Sequence, residues 1–156
     1  MAEADPAFRE PRPLERVFNR AFGALVSLGL GPRDYYLLQV KGRKSGRVYG
    51  TPVSLVSLHG ARFLVAPRGR TQWVRNAEAS NEIALKRGSN RRRFGLRALA
   101  DPDKPPVLVA YLERYRSVVQ RYFPVPAGSP AGAFAEIAAR YPVFELLTLD
   151  DTAPDR

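Results

Sequence analysis

A chain of 156 residues is long enough to bury one continuous core and too short for two independent ones. With 45% hydrophobic and 10% aromatic residues it has the composition of a folded globular protein, and 25 Lys and Arg against 15 Asp and Glu leave a formal charge of +10. A field of that sign attracts phosphates, polycarboxylates, nucleic acid or anionic lipid. The absence of cysteine and the single histidine, His59, exclude disulfides, thiolate nucleophiles and a histidine metal site.

Residues 1–12 are acidic and contain proline, without the basic-then-apolar order of a secretory signal, and read as a flexible segment ahead of one domain spanning 13–150. Residues 151–156 read as a flexible tail. Leu14, Val17, Phe18, Ala21, Phe22, Leu25 and Val26 recur at three- and four-residue steps, which predicts an amphipathic helix ended near Gly29 to Pro32. Its apolar face suits docking on the domain, or a lid or peripheral membrane contact through residues 14–30. The most apolar stretch, Phe22 to Leu30, is too short to span a bilayer, so a cytoplasmic protein is expected, with surface association to a membrane as the sharper alternative.

Tyr35 to Lys41 reads as a strand bounded by Asp34 and Gly42. Val48 to Leu58 and Arg62 to Ala66 read as two more, joined at His59-Gly60, where glycine permits the positive backbone angle of a tight hairpin. Thr71 is placed to cap a short helix with Trp73, Val74 and Ala77 on its apolar face. Ile83 to Arg87 and Phe94 to Leu99 read as strands around a basic turn, Gly88 to Arg93. Pro102, Pro105 and Pro106 punctuate the chain before a helix over Val107 to Phe123; Ala131 to Arg140 suits a short helix and Val143 to Leu149 a last strand.

Hairpin-linked short strands with interrupting helices predict an α+β, mainly β architecture: an antiparallel barrel or tightly curled sheet decorated by helices. A parallel α/β fold is disfavoured, because strand and helix do not alternate and no GxGxxG lies between a strand and a helix.

Gly42-Arg43-Lys44-Ser45-Gly46-Arg47 places two glycines, a hydroxyl and three cations directly after a strand. Glycines let backbone N–H groups approach an anion, Ser45 can donate a hydrogen bond, and the cations supply charge-assisted bonds. Composition alone leaves this segment either a phosphate cradle or a solvated hairpin turn, and it lacks the residue order of a Walker A loop. The densest basic region, Lys86, Arg87, Arg91, Arg92, Arg93 and Arg97, reads as a solvated hairpin tip. The alternatives are a grip on an anionic cofactor tail, a lipid headgroup or nucleic acid, although Phe94 is the only aromatic there for base stacking. Neither a Ser-His-Asp set nor a carboxylate pair suggests hydrolysis.

The Gly42 to Gly46 loop after a strand, then Thr51-Pro52, Ala66-Pro67 and Trp73-Val74-Arg75-Asn76, resembles the deazaflavin-dependent nitroreductase and quinone reductase family across Tyr35 to Arg87. The resemblance implies a split β-barrel of the flavin-reductase-like type that binds coenzyme F420, with FMN as the alternative cofactor. It further implies hydride transfer from the reduced cofactor to a small acceptor such as a quinone, enone or nitroaromatic. Arg43, Lys44 and Ser45, with Gly42, Gly46 and Arg47, would then take the phosphate and acidic tail. Thr51 and Pro52 would line the approach to the ring, and Ala66, Pro67, Arg68, Gly69 and Arg70 would pass their backbone along it. Trp73 and Asn76 would pack and hydrogen-bond near the ring or fix the loop, although a core role suits Trp73 equally. Tyr122 is the candidate to face the acceptor, against a packing role on the helix face. Homodimerisation through a barrel face, a non-catalytic carrier of F420 and a basic nucleic-acid-binding module complete the range of readings.

Overall fold

The computed structural model describes residues 33–149. Six strands, β1 (Tyr35–Lys41), β2 (Val48–Leu58), β3 (Ala61–Val65), β4 (Glu82–Arg87), β5 (Asn90–Ala98) and β6 (Val143–Thr148), form a closed barrel in the order β1-β2-β3-β6-β5-β4. Every pairing is antiparallel. The predicted α+β, mainly β barrel with helical decoration is the observed architecture, and the expected helix over residues 14–30 lies outside the described residues.

Alternation along the strands explains why the chain closes on itself. Leu38 and Val40 of β1 and Ile83 and Leu85 of β4 are all buried, while their neighbours Gln39 and Lys41 carry polar groups. The β1–β4 pairing, with Leu38 opposite Leu85, seals the barrel and removes the exposed edge that an open sheet would leave. Inside, Leu38, Leu55, Leu64, Phe94, Phe144 and neighbouring side chains form one apolar core. Against the outside pack α2 (Pro105–Val119) and the single-turn α3 (Ala131–Ala135), which build a second, aromatic-rich core from Tyr111, Tyr115, Phe123, Phe134 and Tyr141 with Val56, Phe63 and Val65. The third helix, α1 (Gln72–Ser80), is inserted between β3 and β4 and buries Val74, Asn76 and Ala77 at one end of the barrel.

The hairpin at His59 and Gly60 has φ of 50° and 79°, the left-handed geometry expected of a two-residue turn between β2 and β3. Other boundaries differ from the sequence reading. The basic turn shrinks to Gly88 and Ser89, because β5 begins at Asn90 and pairs Arg91 with Lys86 and Arg92 with Leu85. Arginine is accepted there because the three Arg side chains are exposed, and pairing satisfies backbone groups that a loop would leave open. Phe94 points into the barrel at 3% exposure, so it has no face to offer a base. Pro105 and Pro106 begin α2 rather than precede it, since the first helical N–H groups have no intrahelical partner to lose. The same helix stops at Val119 and gives way to a 3-10 turn over Gln120–Tyr122. Residues 131–140 split likewise into α3 and a 3-10 turn, Ala138–Arg140. Thr71 occupies the N-cap of α1, yet its side chain makes no capping hydrogen bond.

Among the described residues no helix is long and apolar enough to cross a membrane.

Candidate functional site

The segment 42–47 is the hairpin loop between β1 and β2. The Gly42 N–H donates to the Arg47 carbonyl at 2.7 Å and the Gly46 N–H to the Gly42 carbonyl at 3.0 Å, which curls the loop back on itself. Arg47 N–H donates to Ser45 Oγ at 3.2 Å, and Gly46 takes φ of 71°, a conformation that side chains disfavour. At Gly42 the requirement is space: a Cβ there would stand 2.7 Å from Tyr49 Cε2 and 2.8 Å from Ser45 Oγ. The segment is thus a hairpin turn whose glycines are set by backbone geometry and close packing.

This loop forms one wall of a cleft of about 600 Å³ whose opposite wall is the start of α1. Of the residues singled out from the sequence, Gly42, Arg43, Lys44 and Ser45 line it from the loop, Thr51 from β2, Arg68 from the connection after β3, and Trp73 and Asn76 from α1. Arg43, Lys44 and Arg68 make the lining cationic, and it contains no carboxylate. The half-buried ring of Trp73 lies 6.2 Å from that of Phe144 and the residue also lines the cleft.

Arg43 joins the two walls. Its backbone N–H and its Nη1 both donate to Asn76 Oδ1, at 3.1 and 2.8 Å, and its Nη2 donates to Gln72 Oε1 at 3.0 Å. Gln72 and Asn76 stand four residues apart and so share one face of α1, which the planar guanidinium can fork across.

Other predicted residues shape the site without lining it. Gly46 and Arg47 complete the turn, and Pro52 lies across from Leu37 on the barrel wall. Ala66 is 1% exposed and donates its N–H to the Pro142 carbonyl at 2.9 Å, packing inward. Gly69, with φ of 82°, accepts a 2.9 Å hydrogen bond from Thr71 N–H and turns the chain into α1; Pro67 precedes it. Arg70 is held along α1 by a two-pronged pair with Glu78, at 3.1 and 2.9 Å.

Tyr122 stands apart from this cleft. It packs half-buried against the outer aromatic core, its hydroxyl accepts a hydrogen bond from Arg121 at 2.8 Å, and its carbonyl accepts one from Tyr141 Oη at 2.6 Å.

Four lining residues escaped the sequence reading: Tyr49, Gly50, Thr71 and Gln72. Strand alternation could have found Tyr49, two residues before Thr51 and hence on the same face. It is 51% exposed, with its hydroxyl 3.3 Å from Ser45 Oγ. Gln72 was available from its four-residue spacing to Asn76. Thr71 carries the least expected feature. Its Oγ1 is buried and has no hydrogen-bond partner among the described residues, a state that costs about 1–3 kcal/mol for a hydroxyl.

Comparison with solved structures places the barrel among known folds. A protein of unknown function from Agrobacterium tumefaciens str. C58 matches with a TM-score of 0.53 and 21% identity, over 92% of this chain and 59% of that one. An F420-H2 dependent reductase, FDR-A, matches with a TM-score of 0.50 and 19% identity, over 73% and 94%. A pyridoxamine 5'-phosphate oxidase-related, FMN binding protein from Nostoc punctiforme PCC 73102 gives 0.50 and 15%, over 89% and 82%. These likenesses establish the split-barrel fold. No protein of curated function matches the chain. The model of the F420H(2)-dependent quinone reductase family matches residues 13–125, the larger part of the chain, and the protein belongs to that family.

Proposed function

We propose that the cleft between the 42–47 hairpin and α1 holds coenzyme F420 and that the protein is an F420H2-dependent reductase acting on a small acceptor of the quinone, enone or nitroaromatic type. The observation that carries this reading is the lining itself. Arg43, Lys44 and Arg68 converge on one space with no carboxylate among them, beside a half-buried tryptophan. A cofactor with a flat ring at one end and a phosphodiester and carboxylates at the other fits that division of apolar and cationic surface.

When bound, the reduced deazaflavin supplies the hydride. Lys44 and Ser45, both exposed on the loop, are suited to meet the anionic tail, while Arg43, tied to Gln72 and Asn76, sets the distance between the walls. Gly42 keeps the loop close to Tyr49, narrowing the cleft. Thr51 and the Arg68 connection border the space left for the ring, and Trp73 offers it an apolar wall that also keeps water away. Ala66, Pro67 and Gly69 support this arrangement from behind. Tyr122 takes no part in this reading, because it packs in the outer core.

Titration of the purified protein with F420, following its fluorescence polarisation, tests the reading, with FMN as the comparison. Saturable binding of F420 at micromolar protein, tighter than that of FMN, is expected, together with turnover of menadione, cyclohexenone or a nitroimidazole by the reduced cofactor. Unchanged F420 polarisation sinks the proposal. Tight binding without turnover of any of the three makes the protein a carrier instead.

A further inference from the structure

Away from the cleft, β5 is longer than the strand beside it. Leu96 N–H donates to the Asn81 carbonyl at 3.1 Å and Leu99 N–H to the Val143 carbonyl at 2.9 Å. Even-numbered residues along β5 therefore turn their backbone groups towards β4, and odd-numbered ones towards β6. β5 pairs with β4 from Asn90 onward, but β6 ends at Thr148, opposite Phe94. The backbone groups of Arg91 thus face a side where no strand lies among the described residues, an edge that a further strand can join. The side chains on this edge are basic and exposed from Arg91 to Arg93. Arg93 pairs with Glu82, whereas Arg91 Nε donates to the neutral Gln39 Oε1 at 2.8 Å, and neither Arg91 nor Arg92 has a carboxylate partner among the described residues.

The chain's own continuation carries the complement. Leu147 stands opposite Gly95 and Thr148 opposite Phe94. Leu149 keeps to that course, with its Cδ2 3.4 Å from where a Cβ on Gly95 would stand. The same register, continued, sets Leu149 opposite Arg93, Asp150 opposite Arg92 and Asp151 opposite Arg91. Residues directly opposite in an antiparallel pair send their side chains to one face, so each aspartate meets an arginine. Thr152 suits a strand, and Pro154, with no N–H to donate, ends it. All of these residues follow the stretch 13–125 that the family model matches.

We infer that Asp150 to Thr152 extend β6 along the open edge of β5, with the backbone of Asp151 bonded to that of Arg91 and the two aspartates paired with Arg92 and Arg91. The occupant of the edge is the tail of the same chain, held there by register and by opposite charge. It closes a side of the barrel that could otherwise accept a strand from a second copy.

Amide hydrogen exchange of the full chain, resolved residue by residue by NMR, reads this edge directly. Arg91 N–H faces it, while Arg92 N–H faces β4 and serves as the internal control. Both amides should be protected in the wild type. Asp151→Pro removes the N–H opposite Arg91 and should speed exchange at Arg91 about tenfold, leaving Arg92 unchanged. Asp150→Asn combined with Asp151→Asn should speed it about fivefold at low salt, on the scale of two cross-strand charge pairs. Reversing the charges on both strands, Asp150→Arg and Asp151→Arg with Arg91→Asp and Arg92→Asp, should restore protection at position 91 to within about twofold of the wild type.

An Arg91 amide that exchanges at the unprotected rate in the wild type overturns the proposal. So does protection that survives Asp151→Pro or the loss of both aspartate charges, and if that protection fades on dilution the edge is covered by a second copy instead. Equal acceleration of Arg91 and Arg92 by Asp151→Pro overturns it as well, because a tail lying along one edge of β5 leaves the opposite edge untouched.

Discussion

Arg43 and Asn76 are joined twice: the backbone N–H and the guanidinium of the one both donate to the Oδ1 of the other. Asn76 is 6% exposed, so the acceptor is fixed in the end of the barrel and the loop is fixed to it. Anion binding by glycine-rich loops is usually limited by the entropy of ordering them, and here part of that ordering is done before any ligand arrives. Arg43→Lys retains the charge but cannot span Gln72 and Asn76 with one planar group. F420 should bind it roughly five- to tenfold more weakly, on the scale of one charged hydrogen bond, with the same dependence on salt as the wild type. Asn76→Ala should weaken binding similarly and also cost about 1–2 kcal/mol in stability, because two donors lose their acceptor. Polarisation titrations at two salt concentrations and urea unfolding check both. Unchanged affinity in Arg43→Lys would assign Arg43 to simple charge contact instead.

Gly42 tests whether the loop must lie close to β2. Alanine there places a methyl group within 2.8 Å of both Tyr49 Cε2 and Ser45 Oγ, and only the serine can move away easily. Gly42→Ala should cost about 1–3 kcal/mol by overpacking, and Tyr49→Ala in the same chain should recover part of it. The measurement is a double-mutant cycle by chemical denaturation. Strict additivity of the two changes would show that the loop relaxes away from Tyr49.

The barrel was legible because its strands alternate and its turns carry glycine at the positions of positive φ; β1 follows directly from Tyr35 to Lys41 between Asp34 and Gly42. Arg91 to Arg93 were misread as a turn because local composition carries no information about pairing, and pairing with β4 holds them extended. The 42–47 loop stood out by composition, which left an anion cradle and a solvated hairpin turn both open. The opposite wall did not, since Thr71 and Gln72 are ordinary helix-start residues until the fold brings them across from Arg43. Tyr122 attracted notice as a helix-end tyrosine, and nothing in its spacing distinguished the outer core from the cleft.

Alkaline pH should unfold the protein through its buried tyrosines. Burial pushes the phenol of Tyr111 far above the ordinary tyrosine value of about 10, with a hydrogen bond to Ser54 partly offsetting the shift, and it raises Tyr115 and Tyr35 in the same direction. Because the unfolded chain loses these protons first, their contribution is complete below pH 10 and declines as pH rises beyond it. Each such tyrosine removes up to about 1.4 kcal/mol per pH unit in that window. Tyr111→Phe should be about 1 kcal/mol less stable at pH 8, having lost the bond to Ser54, and should have a shallower decline from pH 10 to 11.5. Urea midpoints at each pH decide the matter, and parallel declines in the two proteins would exonerate Tyr111.

Tyr122 separates the cleft from the outer core as the seat of chemistry. Its ring packs beside α2, its carbonyl accepts from Tyr141, and its hydroxyl interacts with Arg121, itself exposed. Phenylalanine preserves the ring and the carbonyl and removes only the hydroxyl, so Tyr122→Phe should keep kcat/KM with F420H2 and menadione within twofold of the wild type and F420 affinity unchanged. Stability should move by no more than about 0.5 kcal/mol, as expected of an exposed polar contact. Tyr49→Phe is the matched control: its hydroxyl lies in the cleft within 3.3 Å of Ser45 Oγ, and its loss should weaken F420 binding several-fold. A drop in kcat of tenfold or more for Tyr122→Phe, with binding intact, would return that tyrosine to the acceptor side of the reaction and require that the cleft extend to it.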